Sequence, residues 1–263
     1  FGSIFETQDP KSLKSALNNI VARIINETTS QVNFNNENNN AVISRIPFAL
    51  FDHYDHQVDY HYYHHLNKQG NPDTLNIDPI TDYDFHIYTR PLIVQDNMTI
   101  IPNQHNVLNQ KILQGSVKAS LDGKTLNNNL NNQIKCLVKD DKGNVFHVQD
   151  LNNEEQYLIG SYPIEILTLP RKKDRVEVKN RKTSEVNIPT PGIVTLQKMY
   201  RFVGDIYCYE DKRLKKIYAI QEDGGTETVA LQPGKYKLVY RLKSATSMHQ
   251  SKTRSEERRV GKE

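Results

Sequence analysis

The sequence predicts a mainly β protein, built from small β-sandwich modules in series and preceded by the end of an α/β unit. Only one stretch, between Lys11 and Ile25, spaces its apolar residues as a helix does. From Thr28 onward, short runs that alternate apolar and polar residues are bounded by Asn, Asp, Gly and Pro turns, as in antiparallel sheets. Three of these runs share one outline at intervals of roughly 75 to 80 residues, which indicates a repeated module.

The helix is predicted from its start signal and its periodicity. Asp9 supplies an N-cap carboxylate, and Pro10 occupies the first helical position. The apolar residues form a stripe that needs a partner surface: Leu13, Ala16, Leu17, Ile20, Val21, Ile24 and Ile25. The preceding segment Gly2–Glu6 is predicted as a short strand. Because strand, loop and helix in this order are typical of the end of an α/β domain, residues 1–27 are expected to be a remnant of one.

The shared outline of the three runs is a turn followed by a strand that carries a tyrosine. Its copies, each given with its tyrosine, are Leu231–Tyr240 (Tyr236), Tyr157–Leu167 (Tyr162) and Ile77–Tyr88 (Tyr83). The last of them has one extra residue before the tyrosine. Intervals of this length suit seven-stranded sandwiches of the immunoglobulin-like or prealbumin-like kind. Three β modules are therefore expected.

Turn-rich segments set the expected module boundaries. Asn103–Gly115 is expected to separate the first module from the second, and Leu169–Asp174 the second from the third. The predicted modules are residues 28–108, 109–170 and 171–253. The expected hairpin turns are Asp122-Gly123, Asp141–Asn144 and Gly224-Gly225. The asparagine-rich stretches Asn33–Asn40 and Asn127–Asn132 are expected to be loops rather than prion-like segments or ligand ladders.

Composition excludes several classes of protein. The chain has 263 residues, of which 37% are hydrophobic and 25% charged, as is ordinary for a soluble globular protein. The net charge of +3 is too small to indicate nucleic-acid binding. Basic residues concentrate between Arg171 and Lys182, but Asp174 and Glu177 interrupt them, which favours a solvated strand face over a phosphate site. No stretch approaches the roughly 18 consecutive apolar residues of a membrane span.

The cysteines and the last residues also limit the interpretation. Cys136 and Cys208 could pair or could both be buried thiols, whereas two cysteines exclude a disulfide framework. Residues 254–263 resemble the in-frame translation of a short-read sequencing adapter, so they are expected to be a non-native tail. Without that tail the net charge becomes +2, because its four basic residues outnumber its three acidic residues by one.

Residues 52–65 hold five of the nine histidines, together with tyrosines and aspartates. Imidazole and carboxylate groups are common ligands of transition metals, so a metal site is one interpretation. On a strand, Asp59, His61 and Tyr63 would share one face, and the residues between them would share the other. Because no three histidines fall on one face, a half-buried sheet surface with aromatic cross-strand pairs is the favoured interpretation.

No sequence pattern indicates catalysis. A nucleophile elbow, a phosphate-binding loop, a dinucleotide fingerprint and a zincin helix are all missing from the sequence. The protein is therefore expected not to be an enzyme, and the sequence predicts no catalytic, cofactor-binding or metal-ligating residue.

Several segments together resemble a known family. Gly2–Glu6 followed by Ser12–Ile20 resembles the closing strand and helix of a von Willebrand factor A domain. The tail motifs Gly70–Pro79, Tyr162–Arg171, Ile188–Gly192 and Leu231–Tyr236 look like the β-rich tail of A-domain proteins from Bacteroidetes-type bacteria. The resemblance runs from Phe1 to about Thr253.

The resemblance implies a secreted or envelope-anchored protein, hence an extracytoplasmic location. In that family the A domain binds a divalent cation through an Asp-x-Ser-x-Ser motif on its first strand. That motif is not in this sequence, and is expected upstream of Phe1, so no metal residue is assigned here. The β modules would be spacers or accessory binding surfaces on a stalk, with a protein or envelope ligand as partner.

Two functions remain open from the sequence. The first is a non-enzymatic binding or adhesion-type protein in which the β modules display an A domain. The second is an accessory region of a secreted hydrolase that binds carbohydrate or peptide, for which the Tyr60, Tyr62 and Tyr63 strand is the candidate aromatic row. Because the chain contains no Trp, the second function is less favoured.

Overall fold

The computed structural model describes residues 9–38, 45–122, 134–210, 212–246 and 252–258. Within these residues it contains one helix and twenty strands, which confirms the mainly β fold class. None of the described residues belong to a helix long and apolar enough to cross a membrane. The chain divides into two compact units, Phe1–Gln114 and Gly115–Glu263.

Helix α1 spans Pro10–Glu27 and begins as the sequence predicts. Oδ1 of Asp9 accepts hydrogen bonds from the backbone N–H groups of Lys11 (2.8 Å) and Ser12 (2.9 Å). The backbone N–H of Asp9 donates to Oγ of Ser12 (3.3 Å), which completes a capping box. The predicted strand Gly2–Glu6 lies outside the described residues.

The apolar stripe of α1 remains open to solvent. Leu13, Leu17 and Val21 are 47%, 52% and 41% exposed. The helix therefore draws its stability from its cap and its propensity, and only partly from packing.

The first unit also contains seven strands in two sheets, ordered β4-β1-β7 and β3-β2-β5-β6. They are β1 (Thr29–Asn35), β2 (Pro47–Asp52), β3 (Val58–Tyr63), β4 (Thr74–Leu75), β5 (Asp82–Ile87), β6 (Ile93–Thr99) and β7 (His105–Lys111). The core between the sheets is aromatic, since Phe48 packs edge to face on both Phe34 and Phe85, with ring centroids 6.1 and 5.5 Å away.

The second unit contains the remaining strands, with two hydrophobic cores. The strands around the first core are β8 (Gln114–Asp122), β9 (Lys135–Lys139), β10 (Val145–Asp150), β11 (Glu154–Leu158), β12 (Gly160–Ile166), β13 (Lys172–Val178) and β14 (Thr183–Pro189). The others are β15 (Gly192–Lys198), β16 (Phe202–Glu210), β17 (Arg213–Ile220), β18 (Gly225–Leu231), β19 (Gly234–Leu242) and β20 (Lys252–Arg258).

One strand order recurs in the three modules. Counted from the start of each module, strands 3-2-5-6 form one sheet, and strands 4 and 1 pair in the other. In the first two modules strand 7 joins strand 1 in parallel, through β7 on β1 and β14 on β8. In the third module the described strands β15 to β20 occupy the first six positions. The structure thus confirms β-sandwich modules in series.

Strand pairing corrects the expected module boundaries. The second module was expected to end at residue 170, but β13 pairs with β12 and β14 pairs with β8, so it continues to Pro189. The expected linker Asn103–Gly115 contains β7 and the start of β8, so the boundary at residue 108 would cut β7. Turn residues at Leu169-Pro170 gave the false boundary, because they join two paired strands of one sandwich.

The turn after strand 5 is built alike in the first two modules. In the first, Oγ1 of Thr89 donates to the carbonyl oxygen of Pro91 at 2.7 Å. In the second, Oγ1 of Thr168 donates to the carbonyl oxygen of Pro170 at 2.7 Å. Both turns contain a cis peptide bond before the proline. The same hydrogen bond at the same place supports the equivalence of the two modules independently of strand order.

The tyrosine repeat noticed in the sequence corresponds to one hydrogen bond in each module. The hydroxyl of Tyr162 donates to the carbonyl oxygen of Leu158, four residues upstream, at 3.0 Å. Tyr83 makes the same bond to Asp78 at 2.8 Å, five residues upstream, which accommodates the extra residue of the first copy. A tyrosine bonded back to the backbone just upstream is a tyrosine corner of the kind found in immunoglobulin-like sandwiches.

The predicted hairpin turns have different outcomes. Asp141–Asn144 connects β9 to β10, and the Asp140 N–H donates to the carbonyl oxygen of Asn144 at 2.9 Å, as in a hairpin. The hairpin at Gly224-Gly225 is wrong: β17 and β18 belong to different sheets, so this turn crosses between the layers. Gly123 of the third turn lies outside the described residues.

Candidate functional site

The tyrosines of the histidine-rich segment pack as the favoured interpretation predicts. Strand β3 alternates exposed positions with half-buried Tyr60 and Tyr62, whose rings stack at a centroid distance of 6.0 Å. Tyr62 also packs on Phe48 of the neighbouring strand at 5.4 Å, and Tyr60 on Tyr83 at 6.0 Å. Cross-strand aromatic pairs therefore account for these tyrosines.

The histidines of this segment separate in the fold. His64 is buried against Phe34, with ring centroids 4.4 Å apart and Nε2 lying 3.0 Å from the carbonyl oxygen of Val32. His61 lies on the surface beside Tyr88. In the part of the chain that the structure describes, no three His, Cys, Asp or Glu side chains are grouped to hold a metal ion.

Two other histidines of the segment, His53 and His56, form an acid–imidazole cluster around Asp84. Nδ1 of His53 lies 2.6 Å from Oδ1 of Asp84, and Nδ1 of His56 lies 3.6 Å from Oδ2. The backbone N–H of Asn97 donates to Oδ1 of Asp84 at 2.9 Å. This bond and the His53 hydrogen bond lower the pKa of Asp84, while the hydrogen bond to Asp84 raises the pKa of His53.

The cluster fastens the β2–β3 turn to strands β5 and β6. Its imidazoles and the Asp84 carboxylate could exchange protons, but the contacts described for the cluster include no serine, threonine or cysteine placed as a nucleophile. Its chemistry is therefore that of a pH-dependent structural contact.

A polar cavity of the first unit lies on its three-stranded sheet, over β1. Its volume is about 550 Å³, which is within the range of small-ligand sites. Seven residues line it, here called the amide cleft: Gln31, Asn33, Asn35, Gly70, Asn71, Pro72 and Asn109. None of these residues is ionisable.

Alternation along β1 creates the floor of the amide cleft. Ser30, Val32 and Phe34 point into the core and are buried, so the residues between them face outward. The parallel register with β7 then places Asn33 beside Asn109. Residues far apart in sequence thus meet on one face.

A short loop that precedes β4 forms the wall of the amide cleft. Oδ1 of Asn67 accepts hydrogen bonds from the backbone N–H groups of Gln69 (2.9 Å) and Asn71 (3.0 Å). The N–H of Gly70 donates to the carbonyl oxygen of Asn67 at 2.9 Å, and Gly70 has a φ of 82°, which glycine adopts without a steric cost. Its own hydrogen bonds therefore hold the wall in place.

Hydrogen bonds between side chains orient the floor. Nδ2 of Asn33 donates to Oδ1 of Asn109 at 3.0 Å, and Nδ2 of Asn35 donates to the same oxygen at 3.3 Å. Nε2 of Gln31 donates to Oδ1 of Asn33 at 2.7 Å. Among the hydrogen bonds of the described residues, none uses Nδ2 of Asn109 or Oε1 of Gln31, so both groups can bind a ligand.

A second cavity, of about 460 Å³, lies in the second unit where the second module meets the third. Charged side chains line it, including Glu165, which pairs with Lys139 at 2.5 Å and with Arg171 at 3.3 Å. The hydrogen bond from Lys139 has the largest effect and lowers the pKa of Glu165. Burial acts in the opposite direction, and Arg171 lowers the pKa further, so the net shift is downward. Ion pairs link several of these charges at the module junction, and the lining as a whole carries four cations against two carboxylates.

The basic run between Arg171 and Lys182 is a solvated strand face. Lys172, Arg175 and Lys179 pair with acidic side chains at 3.7, 3.1 and 3.3 Å, and strand β13 alternates exposed and buried positions toward its end. The structure agrees here with the interpretation favoured by the sequence.

The sequence interpretation missed the amide cleft. Asn33–Asn40 was expected to be a loop, yet Asn33 and Asn35 lie on β1. The signal that could have found this strand is the alternation of Gln31, Asn33 and Asn35 with Val32 and Phe34. The second asparagine-rich stretch, Asn127–Asn132, lies outside the described residues.

Comparison with known proteins gives structural likenesses alone. No protein-family model matches the sequence, and no curated protein matches it significantly. A streptococcal ancillary pilin is 12% identical, with a TM-score of 0.30 over 90% of this chain and 96% of its own. The major pilin subunit BcpA of Bacillus cereus is 11% identical, with a TM-score of 0.23 over 90% and 93%. Two B repeat units of the collagen-binding protein of Staphylococcus aureus are 15% identical, with a TM-score of 0.19 over 89% and 69%.

Proposed function

We propose that this chain is part of a non-enzymatic, extracytoplasmic protein of the adhesion type, whose β modules form a stalk and carry an accessory binding surface. The observation that carries the proposal is the repeat of one sandwich topology along the chain. Serial modules of this kind extend a protein without a catalytic cleft, and their loops and sheet faces can bind a partner.

The junction inside the second unit supports a stalk. Only Thr190 and Pro191 separate β14 from β15. The N–H of Gln232 in the third module donates to the carbonyl oxygen of Leu169 in the second at 2.7 Å. The Leu169 side chain also packs against the core of the third module. A short linker with a hydrogen bond and apolar contact limits bending at this junction.

We further propose that α1 is the closing helix of a von Willebrand factor A domain. The exposed stripe formed by Leu13, Leu17 and Val21 supports this proposal, because a closing helix covers a sheet with such a stripe. The divalent cation of such a domain would be held by residues outside this sequence. The gene sequence upstream of Phe1 tests the proposal: an Asp-x-Ser-x-Ser motif on a hydrophobic strand is expected, and a different domain would overturn it.

A retention assay tests the adhesion-type function. Beads coated with the full chain are passed over surfaces coated with extracellular-matrix proteins, mucin or bacterial envelope fragments. We expect retention on at least one surface above that of beads coated with an unrelated β-sandwich protein. Retention no higher than that of the control beads on every surface would contradict the proposal.

The amide cleft favours a second candidate, an accessory region of a secreted hydrolase that binds carbohydrate or peptide. Here too the chain binds and does not catalyse. A hydrolase domain encoded beside these modules would favour this candidate over the first.

A further inference from the structure

We propose that the amide cleft of the first module binds neutral oligosaccharides. The inference deepens the proposed function by naming the ligand class of its binding surface, and it rests on that function for its biological role. The floor and the wall of the cleft, described above, supply the site.

The first step concerns charge. The seven lining residues contain four asparagine or glutamine side chains from the sheet, one asparagine from the loop, a glycine and a proline. None of them carries a charge to offset a phosphate, sulfate or carboxylate. A ligand that gains from this site is therefore neutral and rich in hydrogen-bonding groups.

The second step concerns hydrogen-bond complementarity. A carboxamide presents a donor and an acceptor side by side, and two neighbouring sugar hydroxyls, each able to donate and to accept, can bond to both. Asn109 keeps its amide donor directed away from the bonds made by its oxygen, and Gln31 keeps its acceptor. The cleft thus offers both kinds of group on one face of the sheet, the acceptor from β1 and the donor from β7.

The third step concerns preorganisation. The bonds from Asn33 and Asn35 to Oδ1 of Asn109 restrict these side chains before a ligand arrives. The loop around Gly70 is restrained by the bonds to Asn67. Fixing these groups in advance reduces the entropy lost on binding, which matters for a solvent-exposed polar ligand.

The fourth step concerns apolar contact. The C–H face of a sugar ring packs on small apolar surfaces, and Pro72 supplies one in the wall. Val107, 47% exposed and opposite Gln31 on β7, supplies another beside the floor. An extended peptide is the alternative that the test must separate, because β7 pairs with the whole of β1 whereas β4 pairs only with Ser30 and Gln31.

A glycan array probed with the full chain tests the inference, followed by titration calorimetry with the neutral oligosaccharide that binds best. Asn109→Ala and Asn33→Ala are expected to weaken binding at least about tenfold, as the loss of one to two hydrogen bonds predicts. The matched control is Asn187→Ala, which changes an exposed asparagine on β14, the equivalent strand of the second module. This control is expected to bind as the unchanged chain does.

Circular dichroism establishes that each variant folds, and Asn33→Gln provides a second variant that keeps a carboxamide. No binding to neutral glycans, or equal binding by Asn109→Ala and the control, would overturn the inference. Binding of a peptide that Asn109→Ala abolishes would also overturn it. If beads coated with Asn109→Ala are still retained, the adhesion-type function stands but does not depend on the glycan site. If the chain binds glycans but the beads are not retained, only the adhesion-type function is rejected.

Discussion

The hydroxyl of Tyr236 donates a hydrogen bond of 2.5 Å to the carbonyl oxygen of Gln232, four residues upstream and just before β19. The ring is buried, and burial raises the pKa of Tyr236 to about 12, with a smaller contribution from Cys208. The hydroxyl therefore stays protonated and available as a donor at every physiological pH. The same bond recurs at Tyr162 and Tyr83, so it marks the start of strand 5 in all three modules.

Tyr236→Phe is expected to destabilise the third module by about 1 to 3 kcal/mol, because it leaves a buried carbonyl oxygen without its donor. Urea denaturation of the full chain, with hydrogen exchange of β16 and β19 as the local probe, measures the change. Tyr200→Phe is the control: Tyr200 is exposed, and its loss should change stability by less than about 0.5 kcal/mol. Equal stability of the two variants would contradict the structural role of the bond.

The buried ion pair of the third module gives a second prediction. Nζ of Lys198 lies 2.7 Å from Oε2 of Glu227, and both side chains are less than one tenth exposed. Burial raises the pKa of Glu227, but the hydrogen bonds from Lys198, Tyr218 and the Gln221 backbone outweigh it, so the net shift is downward. Lys198→Met is expected to cost about 3 to 5 kcal/mol, because it leaves a buried carboxylate unpaired.

The double variant Lys198→Met with Glu227→Leu should recover most of that loss, since it removes both charges together. Lys215→Met is the matched control, because the Lys215–Glu210 pair has the same chemistry at the surface and should contribute less than about 1 kcal/mol. Chemical denaturation of the four proteins measures these changes. A double variant as unstable as Lys198→Met would contradict the ion-pair argument.

The acid–imidazole cluster predicts a pH dependence of stability. The pKa of His53 is raised from 6.5, first by its hydrogen bond to Asp84 and further by the carboxylates of Asp84, Asp82 and Asp96. The stability from His53 is therefore fully present below pH 6.5 and is lost as the pH rises through the raised pKa. The pKa of Asp84 is lowered from 3.8, so its stability is present above that pH and lost as the pH falls through the lowered pKa.

The His53–Asp84 pair thus stabilises the first unit most between pH 3.8 and pH 6.5. Urea unfolding between pH 5 and 8 should show a decline in the unfolding free energy that His53→Gln removes. His65→Gln, at an exposed position of the same segment, should keep the decline. A decline of the same size in both variants would show that the cluster is not its source.

The two cysteines give a fourth prediction. Both are free thiols in separate cores, Cys136 in the second module and Cys208 in the third. Burial raises the pKa of Cys136 to about 11 and also raises that of Cys208. Because the thiolate is the reactive form, neither should react with Ellman's reagent at pH 8 until the protein is unfolded in urea. Rapid labelling of the native chain, or a disulfide in the purified protein, would contradict this prediction.

How far the sequence predicts this molecule depends on the sequence distance between interacting residues. The cap of α1 and the three tyrosine corners follow from residues within about five positions of one another, and such local patterns can be recognised in the sequence. The amide cleft instead joins Asn33 to Asn109 through parallel pairing of the first and last strands of a module. No local pattern contains that register, so the sequence by itself predicts a loop at Asn33 and Asn35.

The module boundaries failed for the same reason. Proline and charged residues after Leu169 have the composition of a linker, yet they form a turn inside a sandwich. Only the pairing of β14 with β8 shows that the second module is incomplete before Pro189. A tyrosine on strand 5 locates the middle of each module well, whereas its last strand depends on contacts about 70 residues away.

Removing α1 gives the final prediction. Its exposed Leu13, Leu17 and Val21 form an apolar stripe that favours association between copies of the chain. Deleting residues 1–27 is expected to raise solubility and to narrow the monomer peak on size-exclusion chromatography. The charge variant Leu17→Glu, which keeps the helix and interrupts the stripe, should give part of the same improvement. Behaviour equal to or worse than that of the full chain in both variants would contradict the stripe as the cause of association, and with it the interpretation of α1 as a helix separated from its sheet.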